Sequence, residues 1–159
     1  MVRIRNQIAV GVMEAETAIE RFRLQVTTKL DDLREVLQWF EANIKPKLPQ
    51  RICWECEVAL AEGFTNAVRH AHHNLPTKTG IDLEITLFPE TLEICICDQG
   101  EPFDLEEKLR SLHQQKNFDP LEQEGGRGLF FMEQLTDELR YVRLPNQHNC
   151  LRMRKILKT

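Results

Sequence analysis

From Phe22 onward the spacing of apolar positions changes period repeatedly, and each change marks an element. Phe22 to Thr28 alternates apolar and polar residues with β-branched ones, which predicts a strand. Asp31 and Asp32 then offer N-cap carboxylates. Behind them Leu33, Val36, Leu37, Phe40 and Ile44 recur at helical spacing up to Pro46. After Pro49, the run Ile52, Val58, Leu60, Ala61, Phe64, Ala67 and Val68 predicts a longer helix that ends near His72 and is buried over much of its circumference. Ile81, Leu83, Ile85 and Leu87 alternate strictly, Pro89-Glu90-Thr91 turns the chain, and Leu92, Ile94 and Ile96 alternate again to Asp98: a β-hairpin. Residues 99–124 are polar, with weak periodicity at Leu105, Leu109 and Leu112, and a connection of this length usually serves function as a lid. Gly125-Gly126-Arg127-Gly128 opens a further helix, Leu129 to Leu135, and two alternating segments follow at 138–144 and 150–157. Residues 12–20 have helix-forming composition and read as a short helix or a disordered lead. Strands clustered with helices before and between them give an α+β class, with helices on one face of a mostly antiparallel sheet.

Bulk numbers narrow the setting. The 159 residues are 42% hydrophobic and 29% charged, the balance of a single globular domain spanning 1–159. No apolar run approaches the roughly 20 residues of a membrane span, and Met1 to Gln7 lacks the features of a signal peptide, so a cytoplasmic protein with no membrane partner is expected. A net charge of −4 argues against nucleic acid as a partner. Acidic residues gather at 101–124 and basic ones near the C-terminus, from Arg140 to Lys158, most simply as solvated surface. The five cysteines read as free thiols, with Cys95 and Cys97 as small hydrophobes on one face of a strand. Cys53 and Cys56 have redox spacing but open a helix with no preceding strand, and so read as two buried or half-buried thiols. His70, His72 and His73 lack a second ligand pair at zinc spacing, so no zinc site is expected.

The chemistry concentrates in three segments. Glu62 and Asn66 stand one helical turn apart and share a face. An amide oxygen can hold Mg²⁺, and a carboxylate beside it can take a proton from a hydroxyl attacking a γ-phosphate. Asp98 ends an apolar strand before a Gln-Gly turn, where a carboxylate can accept the exocyclic amine hydrogen of adenine and Gly100 lets the backbone pass close to the base. Gly125, Gly126 and Gly128 precede an apolar helix whose free amides can receive phosphates. No Gly-Lys-Ser/Thr and no G-x-G-x-x-G spacing is present, so neither a P-loop nor a dinucleotide fingerprint applies.

In this order the segments resemble the N, G1 and G2 boxes of the GHKL ATPases, and within them the bacterial anti-sigma-factor serine/threonine kinases. Glu62-x-x-x-Asn66-Ala67-x-Arg69-His70 resembles the N box, Asp98-x-Gly100-x-Pro102-Phe103-Asp104 the G1 box, and Gly126-x-Gly128-Leu129 the G2 box. The likeness covers about residues 22–157. It implies the GHKL (Bergerat) fold, a two-layer α/β sandwich with a mixed, mostly antiparallel sheet, a lead over 1–21 and an ATP lid over about 105–124. It implies ATP and Mg²⁺ as cofactors, Glu62 as general base and Asn66 as metal ligand. Asn66, Arg69, His70, Asp98, Gly100, Pro102, Phe103, Gly125, Gly126, Arg127, Gly128 and Leu129 would surround the nucleotide. It implies phosphorylation of an anti-anti-sigma (STAS-type) protein, sequestration of a sigma factor and a possible homodimer. The alternative is a non-catalytic ATP-binding module that grips a protein partner.

Overall fold

A computed structural model describes residues 16–122 and 126–158. Five strands form one sheet in the order β1-β2-β3-β5-β4. They are β1 (Glu20–Val26), β2 (Ile81–Leu87), β3 (Thr91–Asp98), β4 (Glu138–Arg143) and β5 (Asn149–Ile156). Every described pairing is antiparallel, so the mixed sheet implied by the resemblance gives way to a uniform one. Four α-helices accompany it: α1 (Leu33–Asn43), α2 (Gln50–Asn66), α3 (Leu105–Gln114) and α4 (Arg127–Leu135).

Alternation decides which face is packed. Ile81, Leu83 and Ile85 of β2, Ile94 and Ile96 of β3, and Leu151 and Met153 of β5 join one core with Val36 and Phe40 of α1, Leu60 and Phe64 of α2, and Met132 of α4. Residues between them face away from the helices and pair across strands, Arg23 with Glu84 and Gln25 with Asp82. Burying a large aliphatic side chain contributes roughly 1.5–3 kcal/mol, so this shared inward face is the main source of stability.

The described elements differ from the predicted ones in three places. The first strand starts and ends two residues before the predicted 22–28, because the Thr27 amide donates to the Asp32 carboxylate and the Thr28 amide to Thr77 O, off the sheet ladder. Asp32 was expected to cap α1. Instead its carboxylate accepts from the Thr27 amide (3.1 Å) and hydroxyl, and makes no capping bond. The long polar connection contains a regular helix, α3. Asp104 caps it, Oδ1 accepting from the Glu107 amide at 2.9 Å, and Leu105 and Leu112 bury its inner side. The predicted element over 12–20 lies mostly outside the described residues.

The five cysteines are not all free. Cys97 and Cys150 are bonded to each other, while Cys53, Cys56 and Cys95 are free. The two bonded residues face each other across β3 and β5, a juxtaposition set by strand register. Cys53 and Cys56 are buried, as expected; burial pushes the Cys53 thiol up and that of Cys56 to about 12, which leaves both unreactive.

Candidate functional site

A cleft of about 380 Å³ opens between the end of α2, the strands β3 and β5, and the segment carrying α3 and α4. Asn66, His70, Asp98, Phe103, Gly126, Gly128 and Leu129 line it, so much of the set singled out in sequence converges. Ile96 and Leu151, cross-strand partners on the inward face, add apolar wall.

Helix α2 delivers its polar pair to one spot. A side chain on Gly128 would begin 3.0 Å from Glu62 Oε2 and 3.2 Å from Asn66 Oδ1. Glycine there leaves room beside two hard oxygen donors. Past Asn66 the helix widens into a π-helical turn, Ala67–Ala71, closed by the His72 amide donating to Ala67 O at 2.9 Å. Such single turns recur at functional sites. This one brings Ala67, His70 and Ala71 to the cleft.

Asp98 is buried at the end of β3. Its Oδ1 accepts from the Gly100 amide at 2.9 Å and from Asn149 Nδ2 at 3.0 Å. Both described bonds fall on one oxygen. Gly100 is also required for a close backbone contact. A Cβ on it would lie 2.1 Å from Ala71 O, because the turn after Asp98 is pressed against the π-helical turn. Gly126 begins α4 with φ 83°, the left-handed region that favours glycine.

Other predicted residues stand off the cleft wall. Arg69 and Pro102 are exposed, Glu62, Gly100 and Arg127 are half-buried and do not line the cleft, and Gly125 lies outside the described residues. His73 Nδ1 bonds the His70 carbonyl at 2.8 Å.

Sequence reasoning missed several groups. Lys108, Ser111, Leu112 and Gln115 line the cleft from α3 and its end, at the helical spacing that a recognised α3 would have exposed. Tyr141 packs its ring against Phe103, centroids 4.3 Å apart, and its hydroxyl reaches no partner of ordinary geometry among the described residues. Burial first, then the Asp98 charge, pushes that hydroxyl to about 12, so it remains a donor. Asn149 donates to Asp98 and, at 2.8 Å, to Gly100 O, while its own oxygen accepts from Arg143.

His72 is the hidden fastener of the site, 2% exposed. The Gln99 amide donates to its Nε2 at 2.7 Å, so the proton sits on Nδ1, which donates to Thr28 Oγ1 at 2.8 Å. The Thr28 hydroxyl then donates to Thr79 O at 2.6 Å. One neutral imidazole thus ties the Asp98 turn to the end of β1. Burial lowers its pKa below the ordinary histidine value, with Asp98 opposing and His148 assisting. The unfolded chain therefore takes up a proton that the folded chain refuses. The stabilisation is full above about pH 6.5 and declines on acidification until the folded-state value is passed. The urea midpoint is expected to fall between pH 7.5 and 5.5. A His72→Gln variant is expected to start lower and lose much of that slope; an unchanged slope would exclude His72 as the source.

Comparison with known proteins accords with this geometry. The histidine kinase-like ATPase domain profile matches residues 26–155. The serine-protein kinase RsbW of Bacillus licheniformis is 38% identical over 89 residues, which are 54% of this chain and 54% of that protein. RsbW of Oceanobacillus iheyensis is 35% identical over 102 residues, 62% of this chain and 61% of that protein. The chain spans about half the length of the curated relatives it matches. A crystal structure of the RsbU and RsbW domains of Rv1364c from Mycobacterium tuberculosis superposes with TM-score 0.58 at 14% identity, covering 88% of this chain and 33% of that one, and shares the fold.

Proposed function

The chain belongs to the histidine kinase-like ATPase domain family, and we propose that it is an ATP- and Mg²⁺-dependent protein serine/threonine kinase. On this reading it phosphorylates an anti-anti-sigma antagonist of STAS type, sequesters a sigma factor when not bound to that antagonist, and works in the cytoplasm. The relatives named serine-protein kinase support the chemistry. The observation that carries it is the approach of Glu62 and Asn66 oxygens to Gly128, which lines the same cleft as Asn66 and Asp98.

The residues present fit the metal. Asn66 Oδ1 is a hard oxygen donor beside the space left by Gly128, and it would hold Mg²⁺. Bound there, the ion would neutralise phosphate charge. The α4 amides that begin at Gly126 would receive phosphate oxygens. The Asp98 carboxylate would accept the adenine amine hydrogen between the apolar walls of Ile96, Leu129 and Leu151. Glu62 would take the proton from a partner serine or threonine as its oxygen attacks the γ-phosphorus, with ADP leaving.

Calorimetric titration with ATP, with and without Mg²⁺, tests the binding half. Wild type is expected to bind in a Mg²⁺-dependent way and Asn66→Ala to bind more weakly. No binding at millimolar ATP would remove the reading.

A further inference from the structure

The sheet face turned away from the helices carries a group of sulfurs that the cleft chemistry does not use. Cys95, Cys97 and Cys150 place their sulfurs within 4.8 Å of one another, with Cys95 Sγ 3.6 Å from Cys97 Sγ. The Cys97–Cys150 disulfide bridges β3 to β5. That pairing is the seam of the fold, since β1, β2 and β3 follow one another on one side of it and the β4–β5 hairpin forms the other. Its place on the ladder is what matters. The cross-strand pairs on either side of it are Ile96 with Leu151 and Asp98 with Asn149. Ile96, Leu151 and Asp98 line the cleft, and Asn149 holds Asp98. The disulfide therefore lies back to back with the cleft floor. Its sequence separation of 53 residues encloses Phe103, α3, Gly126 and Gly128, one wall of the cleft, while Asn66 and His70 on the opposite wall lie outside it.

We propose that Cys97–Cys150 is a reversible thiol–disulfide site whose oxidation state sets nucleotide affinity; this rests on the reading of the cleft as an ATP site. Cys97 is half-buried and Cys150 buried, so the Cys97 sulfur is the one at which a low-molecular-weight thiol would attack. Its thiolate attacks that sulfur, forming a mixed disulfide and expelling the Cys150 thiolate, which takes a proton from water. A second thiolate attacks the mixed disulfide, releasing the small-molecule disulfide and the Cys97 thiolate. Two thiols are oxidised and one protein disulfide is reduced. Burial raises the Cys95 pKa against the opposing pull of Arg152, so Cys95 stays a thiol at neutral pH and leaves the bond to external thiols. Oxidised, the bond removes freedom from the segment that closes the cleft; reduced, the seam keeps its ladder hydrogen bonds and inward packing but loses its covalent tie. Disulfides in reducing compartments are usually of this transient, redox-sensing kind.

The test uses the full chain, oxidised with diamide or reduced with glutathione, alkylated for peptide mass spectrometry and titrated with ATP–Mg²⁺. A Cys97–Cys150 cross-linked peptide is expected only after oxidation, with ATP bound about fivefold or more tightly in that state. Cys97→Ser/Cys150→Ser is expected to match the reduced protein under both conditions. Absence of the cross-link overturns the proposal, as does stoichiometric zinc on the reduced sulfurs, which would make the cluster a metal centre. Equal affinity in both states overturns it and leaves the nucleotide site standing, whereas binding in neither state overturns both.

Discussion

Replacing Glu62 by glutamine is expected to slow phosphate transfer by about 10²- to 10⁴-fold, the usual contribution of a positioned general base. The substitution keeps the shape and size of the side chain, so the space beside Gly128 and Asn66 survives. What it removes is the capacity to accept a proton. ATP affinity is accordingly expected to change little, because the carboxylate stands next to the metal-binding amide without being assigned to the base or ribose. Single-turnover transfer to the purified antagonist, beside an ATP titration of the same variant, checks both halves. Full activity in Glu62→Gln would remove the general-base assignment. Parallel loss of binding and transfer would instead make Glu62 part of the binding site.

Gly100→Ala is the second large effect, and it acts on structure. The added methyl would stand 2.1 Å from Ala71 O and 2.6 Å from its carbonyl carbon, and neither is the movable end of a side chain. One of two backbones must shift: the turn that carries Asp98 toward the cleft or the π-helical turn that carries His70. A loss of more than about 2 kcal/mol is expected, together with weakened ATP binding. Gly80→Ala makes the control, since the atoms nearest its Cβ would all belong to the Gln25 side chain, the first at 3.2 Å, and none to backbone. Thermal melts of both variants check the contrast. Equal melting temperatures would show that the Gly100 contact relaxes freely.

The parts of this molecule that could be read in sequence are those written in local spacing. The strict alternation of Ile81 to Leu87 and Leu92 to Asp98 gave the hairpin to within one residue, and the apolar run behind Pro49 gave a helix to near His72, though not the π-helical form of its last turn. Glu62 and Asn66 were legible as a pair because one helix carries both. Helix α3 was not, because its apolar face is only Leu105, Leu109 and Leu112 amid charged residues, and its start depends on a cap, Asp104, that also belongs to the recognised acidic turn. The contributions of His72, Tyr141 and Asn149 depend on partners distant in sequence. Asn149, for instance, matters because strand register sets it opposite Asp98, 51 residues earlier. The Cys97–Cys150 pair was hidden for the same reason. Alternation showed that Cys95 and Cys97 share a face but could not say which residue of another strand would meet them.

The central claim is transfer of phosphate to a partner protein, and one measurement addresses it directly. Wild-type protein is incubated with γ-labelled ATP, Mg²⁺ and a purified STAS-type antagonist, and the antagonist is followed by phosphopeptide mass spectrometry. The account predicts label on a serine or threonine of the antagonist, in a stoichiometry approaching one. ATP bound in the cleft with no label on the antagonist would contradict it, and would make the chain a nucleotide-regulated binding module without kinase activity.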